Sequence, residues 1–139
     1  MSLTEKSSGE KGEPEKSQDV SLVEDAQSFF YEAVDADSLG KYQQAFECFE
    51  RAVVNCDLAI EINRKNPEAY FWKGISIGNL GRLEAQQTGR LTGLKWDPTK
   101  SAEALQIFLK LVPPIYDPKK VELAQKLCSY PFLNTKLTK

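Results

Sequence analysis

Residues 39–42 read Leu-Gly-Lys-Tyr, and this short stretch decides the fold that the sequence predicts. The residues on both sides of it carry apolar side chains at three- and four-residue steps, the spacing that places them along one side of an α-helix. Gly40 suits the left-handed backbone conformation that closes a helix. The stretch therefore predicts a helix, a tight glycine turn and a second helix that runs back beside the first.

The same kinds of signal extend the pattern in both directions along the chain. Ser21 and Glu24 have the spacing of a capping box and open the first helix. Asn66 caps a third helix, with Pro67 at its first position, and Gly81 is expected to end that helix in a second glycine turn. An all-α fold is predicted, with helices at about 21–39, 42–63, 67–81, 98–112 and 117–129.

The segment 82–96 carries the weakest signal within the predicted fold. It begins as a helix-compatible sequence, but Gly89 and Gly93 interrupt it. Each glycine costs about 1 kcal/mol relative to alanine inside a helix. We therefore expect a frayed, bent or partly looped element between the third helix and the helix that Asp97 and Pro98 begin.

The composition divides the chain into a tail, one helical domain and a short end. Residues 1–19 contain mostly Ser, Glu, Lys, Gly and Pro, and such a segment has too little apolar surface to offset the entropy of ordering. We expect this tail to be disordered, residues 20–130 to form the domain, and residues 131–139 to be a short C-terminal tail.

The pattern of small, aromatic and turn residues in the first predicted hairpin resembles that of a known helical repeat. The residues that carry it are Ala33, Gly40, Tyr42, Ala45, Phe49 and Ala52, with Phe29 at the first aromatic position. This pattern resembles the tetratricopeptide repeat, a helix-turn-helix unit of 34 residues. The resemblance implies stacked antiparallel helical hairpins in a right-handed superhelix, with units at about 26–66 and 67–98. The helices at 98–112 and 117–129 would then cap the stack.

Both units depart from the repeat pattern. The first is about seven residues longer than the repeat, close to two helical turns, so the extra length keeps the buried face in register. The second has Gln86, Arg90 and Gly93 where alanine, an aromatic residue and alanine are expected. A three-helix module of the microtubule-interacting-and-trafficking type is the alternative fold, because its signature also resembles residues 33–52.

The resemblance also implies where a partner would bind. Stacked hairpins present the first helix of each pair on a concave groove, which suits an extended or helical peptide. The implied groove residues are Gln27, Phe30, Val34, Asp37, Glu68, Phe71, Ile75 and Asn79. The alternative at this point is that the C-terminal helices fill the groove. The chaperone-tail clamp of the family is not implied, because only Asn79 matches its basic and amide positions.

The residue inventory argues against catalysis. Histidine is absent, which removes Ser-His-Asp and Cys-His schemes and histidine metal sites. The three cysteines form no CxxC pair and are interpreted as free, buried thiols of a reducing compartment. We expect no cofactor, no metal and no enzymatic activity, with a cryptic thiol or carboxylate enzyme as a remote alternative.

Charge and hydropathy indicate the class of partner. The net charge of −2 is unlike that of proteins that bind nucleic acid through a basic surface. No apolar run approaches the roughly 18 residues that a membrane-spanning helix needs, so membrane insertion is not expected. The predicted role is an adaptor or a small subunit that binds a protein or peptide. The expected location is the cytoplasm or nucleus, and the composition also fits an organelle matrix after removal of a targeting segment.

Overall fold

The computed structural model of the protein describes residues 16–129, and within that range it is entirely helical. The helices are α1 (Gln18–Ser38), α2 (Tyr42–Ile62), α3 (Pro67–Thr88), α4 (Pro98–Leu111) and α5 (Pro118–Ser129). This confirms the predicted all-α class. Of the predicted tail 1–19, residues 1–15 lie outside the described residues, as does the predicted tail 131–139. The helix α1 begins at Gln18, so the predicted start at Ser21 was three residues late. Within the described part, no helix combines the length and the apolar character needed to cross a bilayer.

The predicted glycine turn between α1 and α2 is present. Gly40 has a φ of 75°, in the left-handed region. Its N–H donates to the Asp37 carbonyl at 3.0 Å, and the Lys41 N–H donates to the Ala36 carbonyl at 2.9 Å. These two bonds form a Schellman motif, which satisfies carbonyl groups at the end of α1 and reverses the chain.

Hydrogen bonds at the opposite end of the first hairpin define the direction of the first three helices. Asp19, near the start of α1, accepts from the Asn63 amide at 3.1 Å and from the Asn66 amide at 2.9 Å. Hydrogen bonding from Ser17 and from these two amides lowers the pKa of the Asp19 carboxyl, against the effect of its burial. Because Asn63 ends α2 and Asn66 precedes α3, α1 and α2 are antiparallel, and α3 starts beside the start of α1.

A continuous row of aromatic rings links the helices. Neighbouring ring centroids along it lie 5.1–5.7 Å apart, mostly in edge-to-face arrangements. In order, the row is Phe49, Phe30, Trp72, Phe71, Phe108 and Tyr116. Such pairs contribute about 0.5–1.5 kcal/mol each beyond the burial of their surface. The row therefore ties both hairpins and the connection to α5 into one core.

The prediction of a second glycine turn, at Gly81, was wrong. The helix α3 continues through Gly81, which is buried, and ends at Gly89 with a φ of 70°. Leu80 and Leu83 are fully buried on either side of Gly81, so packing in the core outweighs the cost of one glycine in a helix. The loop is consequently residues 89–97, and α4 pairs with α3 instead of acting only as a cap.

The pairing of α3 with α4 depends on a close approach at Gly74. The Ser101 hydroxyl donates to the Gly74 carbonyl at 2.7 Å. A Cβ atom at position 74 would lie 2.6 Å from Cγ of Leu105, whose side chain is fully buried. Only glycine lets the two helices meet at this distance without moving the core.

Replacing Gly74 with alanine should therefore destabilise the fold. Overpacking of this kind costs typically about 1–3 kcal/mol, which exceeds the gain in helix propensity from removing a glycine. Urea denaturation followed by circular dichroism would measure the loss. Gln87→Ala, at an exposed position of the same helix, is the matched control and should change stability by less than about 0.5 kcal/mol. Equal unfolding midpoints for the two variants would contradict the close contact.

Candidate functional site

Most of the residues implied as groove contacts belong to the core. Contact with a partner at these positions would require the hairpins to separate. The buried members, none more than 8% exposed, are Phe30, Val34, Asp37, Phe71, Ile75 and Asn79. Gln27 and Glu68 are only partly buried.

The two buried polar members belong to a network between the end of α1 and the middle of α3. Arg82 donates from Nη2 to Oδ2 of Asp37 at 2.8 Å and to Oδ1 of Asn79 at 2.8 Å. The Asn79 amide also donates to the Ile75 carbonyl at 2.9 Å. The ion-paired side chains of Arg82 and Asp37 are only 12% and 5% exposed. This polar cluster joins the two hairpins at the end near Gly40.

Glu68 is held by the C-terminal part of the chain. Its carboxylate accepts from Nε1 of Trp72 at 3.1 Å, from Nζ of Lys120 at 2.8 Å and from the hydroxyl of Tyr116. The Lys120 ammonium also lies 5.5 Å from the ring centroids of Phe71 and Trp72. Lys120 of α5 and Tyr116 just before it therefore hold the C-terminal part of the chain against the first turn of α3. The helix α5 itself packs on α4, and the filling of the groove by the C-terminal helices stays a prediction.

A small pocket remains open between the starts of α1 and α3. Its volume is about 250 Å³, and it brings Gln27 and Glu68 together. The remaining lining residues are Val20, Val23, Glu24 and Asn66. We call it the inner pocket.

A larger channel lies on the opposite side of the molecule, where α2 and α4 flank α3. It consists of two adjoining cavities of about 510 and 320 Å³, which share Lys73, Ile77 and Lys100. We call this channel the outer groove. Its further lining residues include Val53, Val54, Asp57 and Trp96 in the first cavity and Tyr70, Glu103, Ala104 and Ile107 in the second.

The outer groove combines an apolar floor with partly neutralised charge. Ile77 is buried at the floor, and Ile107 is 39% exposed at the α4 wall. Lys73 forms an ion pair with Asp57 at 2.7 Å. Lys100 has no ion-pair partner among residues 16–129. The groove therefore offers apolar contact beside a lysine that is available to an anionic group.

One carboxylate in α3 positions the loop residues Lys95 and Trp96, which form the rim of the outer groove. Glu84 accepts the backbone N–H of Lys95 and that of Trp96, both at 2.9 Å. The Lys95 ammonium lies 5.5 Å from the Trp96 ring centroid. The indole Nε1 of Trp96 is buried and has no hydrogen-bond partner within the described residues. The loop that follows α3 is thus tied to the helix at the place where it lines the groove.

Sequence reasoning missed the outer groove because it placed a helix end at Gly81. With that turn, α4 becomes a cap, and nothing suggests that it faces α2. The helical spacing of Lys73 and Ile77, and of Lys100, Ala104 and Ile107, is the signal that could have found the two faces.

Neither a metal site nor a similar known protein indicates what these two sites bind. Within residues 16–129, no group of three or more His, Cys, Asp and Glu side chains could hold a metal ion. Comparison of the chain with protein-family models, with curated proteins and with solved structures finds no match. The resemblance to the tetratricopeptide repeat therefore stays a prediction.

Removing the carboxylate of Asp37 should destabilise the protein because Arg82 would keep a largely buried charge without its partner. Loss of one member of such a pair costs about 2–4 kcal/mol. Urea denaturation of Asp37→Ala would measure it, with Asp35→Ala as the exposed control in the same turn. The double variant Asp37→Leu, Arg82→Met should regain most of the loss, since it leaves no unpaired charge. Equal stability of the two aspartate variants would contradict the buried pair.

Proposed function

We propose that the chain is a non-enzymatic protein–protein interaction module, an adaptor or a small subunit of a larger assembly, that holds a peptide segment in the outer groove. The observation that carries the proposal is the open, partly apolar channel between α2 and α4, with Lys100 available at its wall. Helical grooves of this kind bind peptides through a few apolar anchors and a few orienting polar contacts.

The groove favours a segment that is both apolar and acidic. Ile77 and Ile107 would contact apolar side chains of the segment, and Lys100 would pair with a carboxylate beside them. The two other lysines of the groove have partners already: Lys73 lies 2.7 Å from Asp57, and Lys95 lies 3.8 Å from Glu50. Glu103, three residues from Lys100, also lines the second cavity and forms no ion pair among residues 16–129. The proposed acidic preference therefore depends on Lys100, which lines both cavities of the groove.

We further propose a stack of the tetratricopeptide type, in preference to a three-helix module. The first two hairpins, α1–α2 and α3–α4, pack through α3, which contacts both earlier helices. The helices α4 and α5 supply fully or nearly fully buried core residues, which a three-helix module would lack. These residues are Leu105, Phe108, Ala124 and Leu127. A cytoplasmic or nuclear location is part of the same proposal, since free cysteines suit a reducing compartment.

The thiols give no support to the alternative of a cryptic enzyme. Burial raises the pKa of Cys56 to about 12. Burial also raises the pKa of Cys48 and Cys128, and for Cys48 the neighbouring Glu32 carboxylate adds to the effect. Because the thiolate is the nucleophile, all three positions are poorly suited to covalent catalysis near neutral pH.

All three thiols should react with an alkylating reagent more slowly than a free cysteine peptide at pH 7.5. Raised pKa values leave little thiolate, and the reaction should speed up as pH rises toward those values. Iodoacetamide labelling read by mass spectrometry would give the three rates separately, with the urea-unfolded chain as control. A native thiol that reacts faster than the peptide would revive the enzyme alternative.

Binding in the outer groove should select peptides with apolar and acidic residues from a phage-displayed random library. A synthetic copy of an enriched peptide would then be titrated by calorimetry. Lys100→Glu and Ile107→Asp should each weaken binding at least about tenfold, because one reverses the charge of the proposed contact and the other places a charge on the apolar wall. Both positions are at the surface, so the fold should be retained.

The control for these titrations is Gln106→Asp, which adds the same charge at the exposed neighbour of Ile107 outside the groove. It should leave the affinity unchanged. Loss of binding on Gln27→Ala, with no effect of the groove variants, would place the peptide at the inner pocket instead. Failure to enrich any peptide dependent on Lys100 or Ile107 would overturn the assignment of the outer groove.

A further inference from the structure

The side of α2 that points away from the core carries an apolar stripe with no partner among residues 16–129. Val54, Leu58 and Ile62 follow one another at four-residue steps, so they lie along one line of the helix. Their exposed fractions are 55%, 43% and 49%. Single exposed apolar residues are ordinary, but an aligned set on one helix is an unpartnered face.

Charged residues flank this stripe in an order that is complementary to itself. Arg51 lies three residues before Val54, and Glu61 lies three residues after Leu58. Both charged residues are exposed. When two copies of α2 lie antiparallel and cross at the level of Cys56, positions equally distant from Cys56 face each other. In that register Val54 faces Leu58 of the second copy, Arg51 faces Glu61, and Ile62 at the end of the stripe faces Glu50.

We propose that a second copy of this chain binds on this face, with the two α2 helices antiparallel and related by a two-fold axis. Symmetry makes each contact occur twice, so the interface contains two apolar pairs and two ion pairs. A parallel arrangement in register would place Arg51 against Arg51 and Glu61 against Glu61, which is repulsive. The charge order therefore selects the antiparallel pair.

Local geometry prepares the face for this contact. The Arg51 guanidinium carbon lies 5.8 Å from the centroid of the Phe29 ring, which holds the side chain along the edge of the stripe. A cavity of about 440 Å³ opens beside Val54 and is lined by Phe29 and Asn55 and by the charged side chains of Glu47, Glu50 and Arg51. Contact between single helices buries less than about 1,200 Å², so the dimer should be weak and concentration-dependent.

Charge reversal tests the register. Neither Arg51 nor Glu61 forms an ion pair within residues 16–129, and the two positions lie about 15 Å apart along the helix, beyond the screening length of about 10 Å at 0.1 M salt. Arg51→Glu also removes the contact with the Phe29 ring, so Glu61→Arg is the cleaner of the two single variants. Arg51→Glu alone, or Glu61→Arg alone, places like charges across the interface. Each should weaken dimerisation about tenfold or more in sedimentation velocity over a concentration series.

Two further measurements make the test specific. An equimolar mixture of the Arg51→Glu and Glu61→Arg chains has opposite charges at both contacts and should associate more strongly than either chain alone. The double variant with both reversals should also regain the dimer. Circular dichroism of every variant serves as the control for folding, and Ile107→Asp in the outer groove should leave the dimer intact.

The possible outcomes separate clearly. Rescue in the mixture and in the double variant supports the antiparallel α2 pair, and weakening by high salt supports its ion pairs. A wild-type chain that stays monomeric to millimolar concentration overturns the proposal. A dimer that ignores the charge reversals, or is not rescued, overturns it as well, because the contact then lies elsewhere. Val54 also lines the outer groove, so a dimer on this face would shield part of that groove. Peptide titrations are therefore run at concentrations where the chain is monomeric, which keeps failure of peptide binding distinct from failure of dimerisation.

Discussion

The contact between Trp72 and the first hairpin is the interaction on which the rest of the structure depends. The Trp72 ring meets Phe30 at 5.4 Å and Tyr31 at 5.9 Å, and it meets Phe71 of its own helix at 5.1 Å. Its indole N–H is bound by Glu68. One side chain, 1% exposed, thus fixes α3 against α1 and holds the carboxylate that binds α5. Neither hairpin could bury these rings alone.

This contact also determines which surface is left for a partner. The side of α3 that the repeat pattern assigns to ligand binding is used to join the hairpins and to bind α5, leaving the inner pocket beside it. Among residues 16–129, the side formed by Lys73 and Ile77 has no helix over it and becomes the floor of the outer groove.

The sequence predicts the helices well where a local signal fixes their ends. Gly40 forms the expected turn, and the Asn66 side chain accepts the Glu68 N–H at 3.1 Å as a cap should. The prediction of a helix end at Gly81 was wrong because the cost of one glycine in a helix, about 1 kcal/mol, is small compared with the free energy gained by burying Leu80 and Leu83.

The candidate site is less predictable because it depends on contacts between residues far apart in the chain. From the sequence alone, Asp37 and Asn79 are polar positions that suggest contact with a partner. In the structure, the packing of α3 on α1 brings Arg82 to both of them, and they become part of a buried network. The inner pocket could be anticipated in part, since Gln27 and Glu68 both line it. The outer groove was missed because the helix end placed at Gly81 hid the pairing of α3 with α4, although the helical spacing of its lining residues indicates each face separately.

The two backbone hydrogen bonds that Glu84 accepts connect the loop at the rim of the outer groove to the end of α3. Glu84 belongs to the final turns of α3, beyond Gly81, where helix ends open with little free energy compared with global unfolding. When those turns unwind, the carboxylate leaves and the N–H groups of Lys95 and Trp96 lose their acceptor together. The rim of the channel is thus anchored to the end of α3, directly after the fully buried Leu83.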